Sequence, residues 1–206
     1  MDKTIKKKRM ITALVIIFAV AIVALAVLLI DNSTADTPND TKNDETTLRP
    51  LLAIPNWGED IFEDEDWLDK NRYITYVDGG MSVTITDEIY DGYGICVDFM
   101  ALYFEALKRG NAEALCGFYA DEYFTDNYRW DEITMQRVYD IKLEYISALD
   151  TASETTYVYK VSYKIMKNDG TFRNDVKSDA ERPEFYTIVD NGSDIKITDV
   201  SYSYNP

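Results

Sequence analysis

VDFMALYFEALKRGNAEALCGFYADEYF, residues 97–124, is the stretch on which the architecture turns. From Ile95 onward, Ile95, Phe99, Leu102 and Ala106, together with Tyr103 and Leu107, recur at spacings of three and four, the signature of an amphipathic helix. Glu105 and Arg109 form an i,i+4 pair on its wet side. Gly110 ends the helix. Asn111 then has the right side chain to cap a second one, with Glu113 in its first turn and Leu115, Phe118 and Tyr119 as its buried stripe. A third, shorter helix is expected over residues 130–138.

Beyond that point the period changes to two. Ile141, Leu143, Tyr145, Ser147 and Leu149 alternate with Lys142 and Glu144, and Tyr157, Tyr159, Val161, Tyr163 and Ile165 alternate with Lys160, Ser162 and Lys164. These are strands with one wet face. Asn168-Asp169-Gly170 marks a turn, and Asn191-Gly192 joins residues 185–190 to 195–204 as a hairpin. Ile195 and Ile197 share a face, but Val200, Tyr202 and Tyr204 fall on the other parity. A bulge near Thr198-Asp199 reconciles them. Helices followed by strands predict an α+β domain in which the helices cover one face of a curved antiparallel sheet.

Toward the amino end, Asp78-Gly79-Gly80 between two short β-rich runs predicts a hairpin ahead of the main domain. Residues 59–69 hold seven acids in eleven positions, interleaved with Ile61, Phe62, Trp67 and Leu68. The run is read either as an acidic-aromatic docking segment or as a short solvated helix whose tryptophans pack on the domain. An EF-hand loop is excluded, because Leu68 stands where a ligand belongs and the turn glycine is missing.

Residues 10–30 carry one polar side chain, Thr12, and no charge, Pro or Gly. At about 1.5 Å per residue the run spans about 30 Å, the depth of a hydrocarbon core. Lys3, Lys6, Lys7, Lys8 and Arg9 precede it, so the positive-inside bias puts residues 1–9 in the cytoplasm and the rest outside. The competing reading is a signal peptide cleaved near Ala24-Leu25-Ala26, but the apolar run exceeds the usual ~7–15 residues. Residues 31–56, rich in Asp, Asn and Thr, read as a disordered tether. The divisions expected are therefore a tail (1–9), a membrane helix (10–30), a tether (31–56), an acidic segment with hairpin (57–90) and an extracytoplasmic domain (91–206).

After residue 30 there are 16 Lys and Arg against 36 Asp and Glu, a formal charge of −20. Such a domain is repelled by nucleic-acid phosphate, which excludes nucleic acid as a direct partner. The chain has no His, which removes Ser-His-Asp and Cys-His catalysis and the commonest metal ligand together. No cofactor or metal set is legible. Cys96 and Cys116 lie about fourteen residues before and six after Gly110, levels that differ by about 12 Å in an antiparallel helix pair, so both are expected as buried free thiols.

The helix–break–helix of residues 97–124 and the terminal FYTIVDNGSDIKITDV, residues 185–200, resemble nuclear transport factor two-like domains of the cystatin-like cone superfamily. The resemblance covers about residues 92–204. It implies a curved sheet wrapped round a long helix, a fold that serves isomerases, cyclases, small-ligand carriers and non-catalytic interaction domains alike. The layout of a span followed by such a domain is similar to bacterial scaffold subunits of conjugation and secretion machines and to anchored domains of Gram-positive bacteria.

Two functions follow as expectations. One is a non-catalytic, membrane-anchored extracytoplasmic domain that binds protein partners. The other is a carrier or isomerase/cyclase-type enzyme for a small apolar ligand, with Asp98, Tyr103, Tyr119 and Trp130 lining its pocket. Isomerases of the resembled fold work with a carboxylate base and hydroxyl or protonated-carboxyl donors, and these residues supply such types.

Overall fold

The computed structural model describes residues 51–86 and 93–204. The expected tail and membrane helix, and most of the tether, lie outside the described residues.

The domain is α+β. A single helical turn α1 (Glu65–Leu68) leads to strands β1 (Ile74–Asp78) and β2 (Met81–Ile85), then helices α2 (Ile95–Lys108), α3 (Ala112–Gly117) and α4 (Tyr123–Asp126). Strands β3 (Arg137–Asp150), β4 (Thr155–Met166), β5 (Glu184–Asp190) and β6 (Ile195–Ser201) follow. The six strands form one sheet in the order β2-β1-β3-β4-β5-β6. It is mixed, a correction to the antiparallel sheet expected: β1 runs parallel to β3, with Ile74 opposite Ile141 and Tyr76 opposite Leu143. The helices between β2 and β3 supply the crossover that a parallel pair requires. The hairpin at Gly79-Gly80, both with positive φ, thus forms the edge of the main sheet.

The helix break forms as its residues dictate. Gly110 adopts φ +64°, its N–H bonds to the Leu107 carbonyl, and the Asn111 carboxamide accepts from the Ala114 N–H at 2.9 Å. The buried face of α2 is Cys96, Val97, Phe99, Met100, Tyr103, Phe104, Ala106 and Leu107. Ile95 and Leu102, expected on that face, are exposed. Against it lie Ile74 and Tyr76 of β1, Ile141 and Leu143 of β3, Tyr159, Val161, Tyr163 and Ile165 of β4, Tyr186 and Ile188 of β5, and Ile197 of β6. Both cysteines are free and buried.

Residues 130–138 are not helical. They run extended into β3, and the third helix is the earlier single turn α4. The cause is tertiary. Gln136 donates its N–H to the Leu107 carbonyl, and Thr134 Oγ1 bonds to Asp169 and Thr171, contacts an extended chain reaches and a helix turns away from. This segment also crosses Gly110 so closely that an added Cβ would meet Met135 N at 2.8 Å and Thr134 C at 2.9 Å. Gly110→Ala therefore combines left-handed strain with a backbone clash, and we expect a loss of about 2–4 kcal/mol in urea unfolding.

The expected bulge is present. Thr187 faces Asp199 while Ile188 faces Ile197, so Thr198 is the extra residue. Further register shifts between Tyr139 and Lys142 and between Tyr145 and Ser147 mark β3, the first at Asp140 with φ +50°. Residues 59–69 lie on the domain as the structural reading expected for Trp67. Its indole is fully buried and donates to the Val138 carbonyl at 3.1 Å, while Trp57 stays exposed. Asp64 caps α1 and pairs with Arg137 at 2.7 Å and with Lys167 at 2.9 Å. The hydrogen bond from Lys167 and the charge and hydrogen bond of Arg137 outweigh burial and hold its carboxyl down at about 2.

Candidate functional site

The cleft richest in chemistry is built from four pieces of chain that meet beside β6. The first is the end of α3. Phe118 accepts from Ile197 N–H at 2.8 Å and Ala120 donates to the Ile197 carbonyl at 2.9 Å, which pins Tyr119 against the strand edge. The second is α4 and the extended segment after it, which present Tyr123 and Trp130. The third is the connection 167–183. Its shape is fixed by the buried Asn168 carboxamide, which donates to the carbonyls of Arg173 at 2.9 Å and Val176 at 2.8 Å. The fourth is the sheet itself, with Glu184 and Tyr186 on β5. The bulge at Thr198 resets the parity of β6, and Val200 and Tyr202 also reach this side.

The resulting cleft holds about 480 Å³ and is lined by Tyr119, Tyr123, Trp130, Phe172, Glu184 and Tyr202, among others. Two of the four residues singled out in the sequence line it, and a third lies beneath them. Tyr119 and Trp130 are in its wall, and Tyr103 stands directly behind, its hydroxyl 2.9 Å from that of Tyr119 and 3.3 Å from that of Tyr186. Asp98 is elsewhere. It lines a separate groove of about 710 Å³ with Phe62, Arg72, Leu102 and Phe104, and its buried Oδ1 makes no hydrogen bond. The carboxylate and the hydroxyls that an isomerase-type site would bring together are thus on different surfaces.

The charged residues of the cleft escaped the sequence reading. Arg173, 7 % exposed, sends Nε and Nη2 to the two oxygens of Asp175 at 3.0 and 2.7 Å and Nη1 to Glu184 at 2.7 Å. Tyr202 donates to Asp175 at 3.0 Å, and Arg182 adds a bond to the same oxygen at 2.9 Å. Glu184 is 8 % exposed, and burial, opposed by the Arg173 charge, pushes its carboxyl up to about 7. For Asp175 burial works upward too, but the hydrogen bonds and charge of Arg173 prevail and hold it at about 2. One arginine thus serves two carboxylates unequally: Asp175 takes its bidentate edge and Glu184 a single nitrogen.

Burial raises the tyrosine hydroxyls of Tyr103, Tyr119, Tyr163 and Tyr186 far above their ordinary range, and Tyr123 to about 12. They act as neutral hydrogen-bonding groups at any physiological pH, while Glu184 changes charge near neutrality. A readable signal for Glu184 did exist. It shares strand parity with Tyr186 and Ile188, an acid on the inward phase of an apolar face. Among the described residues no group of His, Cys, Asp or Glu is arranged to hold a metal ion.

No protein-family model matches the chain, and neither does a curated protein or a solved structure.

Proposed function

We propose that this chain is a single-pass, membrane-anchored extracytoplasmic interaction domain, non-catalytic, with a nuclear transport factor two-like cone, and that it serves as a scaffold in a bacterial envelope complex of the conjugation or secretion type. The observation that carries this reading is the filling of the space between α2 and the sheet. Where a hollow cone would hold a ligand, Tyr103, Phe104, Tyr119, Tyr163 and Tyr186 are each at most 4 % exposed and stack edge to face. The hydroxyls of Tyr103, Tyr119 and Tyr186 satisfy one another and that of Tyr163 accepts from Arg173, as buried polar groups require. A carrier or an isomerase/cyclase needs that space empty. The remaining support is the apolar run at 10–30, the polar stretch at 31–56, and an acidity that favours basic partners.

Purification of the full chain from membranes in a neutral detergent tests this. Partner proteins are expected to co-purify, in a species larger than the monomer. Recovery of this chain alone, with a monomeric profile, overturns the reading.

A further inference from the structure

We propose that the cleft walled by Tyr119, Tyr123, Trp130 and Phe172 and floored by Glu184 receives the ammonium-tipped side chain of a lysine on a partner protein. The proposal rests on the interaction-domain reading above and names what the partner must present.

The walls form one continuous aromatic surface. Ring centroids are 4.5 Å apart for Tyr119 and Tyr123, 5.6 Å for Tyr119 and Trp130, and 5.4 Å for Trp130 and Phe172. An alkyl stem packs on such faces, and their negative π clouds attract the cation at its end. Neighbouring rings already bind cations of the chain itself: the Arg129 guanidinium lies 4.1 Å from the centroid of Phe124, outside the cleft, and that of Arg182 lies 3.7 Å from Tyr202 in its lining. Among the described residues, no such contact falls on the four wall rings.

Charge selects the ligand. An anion is refused, because the Nε, Nη1 and Nη2 of Arg173 are each committed to a carboxylate within the protein. Residues 121–132 along the rim hold Asp121, Glu122, Asp126, Asp131 and Glu132 against Arg129 alone. That field draws a basic segment toward the cleft. Glu184, bonded to one nitrogen of a shared arginine with the Arg182 charge more distant, gains a further counter-charge when the ammonium arrives.

The groups facing Glu184 are Arg173, Asp175 and Arg182 from the preceding connection, Tyr186 on its own strand, Tyr103 of α2, Tyr123 of α4, Tyr163 of β4 and Tyr202 after β6. Those tyrosines stay neutral, so the ammonium acts chiefly on Glu184 and favours its carboxylate. Binding below pH about 7 therefore releases a proton, and affinity rises as pH passes upward through that value.

The test is calorimetric titration of the full chain in neutral detergent with acetyl-Gly-Lys-Gly-amide and with its norleucine analogue. Two buffers of different ionisation heat reveal the released proton. Saturable binding of the lysine peptide is expected, about ten-fold weaker in Tyr123→Ala and in Glu184→Gln, each checked for a single cooperative melting transition above the titration temperature. Binding should be unchanged in the double variant Asp150→Asn, Glu154→Gln, which removes charge at the far β3–β4 hairpin. Equal binding of the norleucine peptide, or equal affinity in the two cleft variants, overturns the proposal. If the lysine peptide fails to bind while partners still co-purify, the lysine assignment falls and the interaction reading stands. If it binds as expected but no partner co-purifies, the cation site stands and the interaction reading falls.

Discussion

Replacing Arg173 by alanine is expected to cost about 3–5 kcal/mol of folding stability, because it strands the buried carboxylate of Glu184 and the half-buried one of Asp175. Arg173 and Glu184 are both under a tenth exposed, and the arginine is the group that joins Asp175 to Glu184. The loss should be readable in urea denaturation of the full chain, with Arg182→Ala as a comparison, since that residue pairs with Asp175 from an exposed position and is worth about 1 kcal/mol or less. A loss below about 1 kcal/mol in Arg173→Ala would mean that the two carboxyls are neutral or solvated.

The same cluster fixes the sign of a pH dependence. Glu184 has a folded value of about 7 against an ordinary 4.5, so the folded state binds the proton more tightly than the unfolded chain between those values. Stability then falls as pH rises through that window and levels off above it. The full shift corresponds to about 3 kcal/mol, since each pKa unit is about 1.4 kcal/mol. Asp64 and Asp175, each held at about 2 against an ordinary 3.8, work the other way. They stabilise the fold above pH about 4, and that contribution is lost as the pH falls toward 2. A maximum between pH about 4 and 5 results, and Glu184→Gln should flatten its alkaline flank while leaving the acid one intact.

Trp67→Ala is the second large effect, expected at about 3–5 kcal/mol. The indole is fully buried, meets Phe62 edge-on at 5.5 Å, lies under the Arg72 guanidinium at 5.1 Å and bonds to the backbone of β3. Trp57→Ala, at an exposed position in the same acidic region, should stay within about 0.5 kcal/mol. Equal effects from the two tryptophans would show that the acidic segment is not fastened to the sheet in solution.

What the sequence revealed was whatever local chemistry decides. The Gly110-Asn111 break follows from one left-handed residue and one cap. The bulge follows from the parity conflict between Ile197 and Val200, and the Gly79-Gly80 turn from two residues free to take positive φ. The failures share a different cause. The helix expected over residues 130–138 is overridden from outside the segment: the carbonyl of Leu107, the Asp169–Thr171 pair and the bare face of Gly110 draw that stretch out straight. The parallel β1–β3 pair likewise has no local trace.

The cleft divided along the same line. Its aromatic wall is legible because Tyr119 and Trp130 belong to the part of the sequence that reads as helical. Arg173 and Asp175 come from a connection with no period, delivered by the buried Asn168, and Glu184 stands one residue before the strand expected at 185–190. Asp98 was attractive for its nearness to Tyr103 in sequence, yet a five-residue step along α2 turns it toward another groove.

The parallel pairing also sets an order of events during synthesis. The β1–β2 hairpin leaves the ribosome early, but Ile74 and Tyr76 have no neighbour on their open side until Ile141 and Leu143 have been added. Through that interval the nascent chain carries an apolar ribbon with an unsatisfied edge, the kind of surface that invites chaperones. The last helix-bearing stretch and β3 must emerge before that ribbon is sheltered, and a stall in translation between the two would be the moment of greatest danger to the molecule.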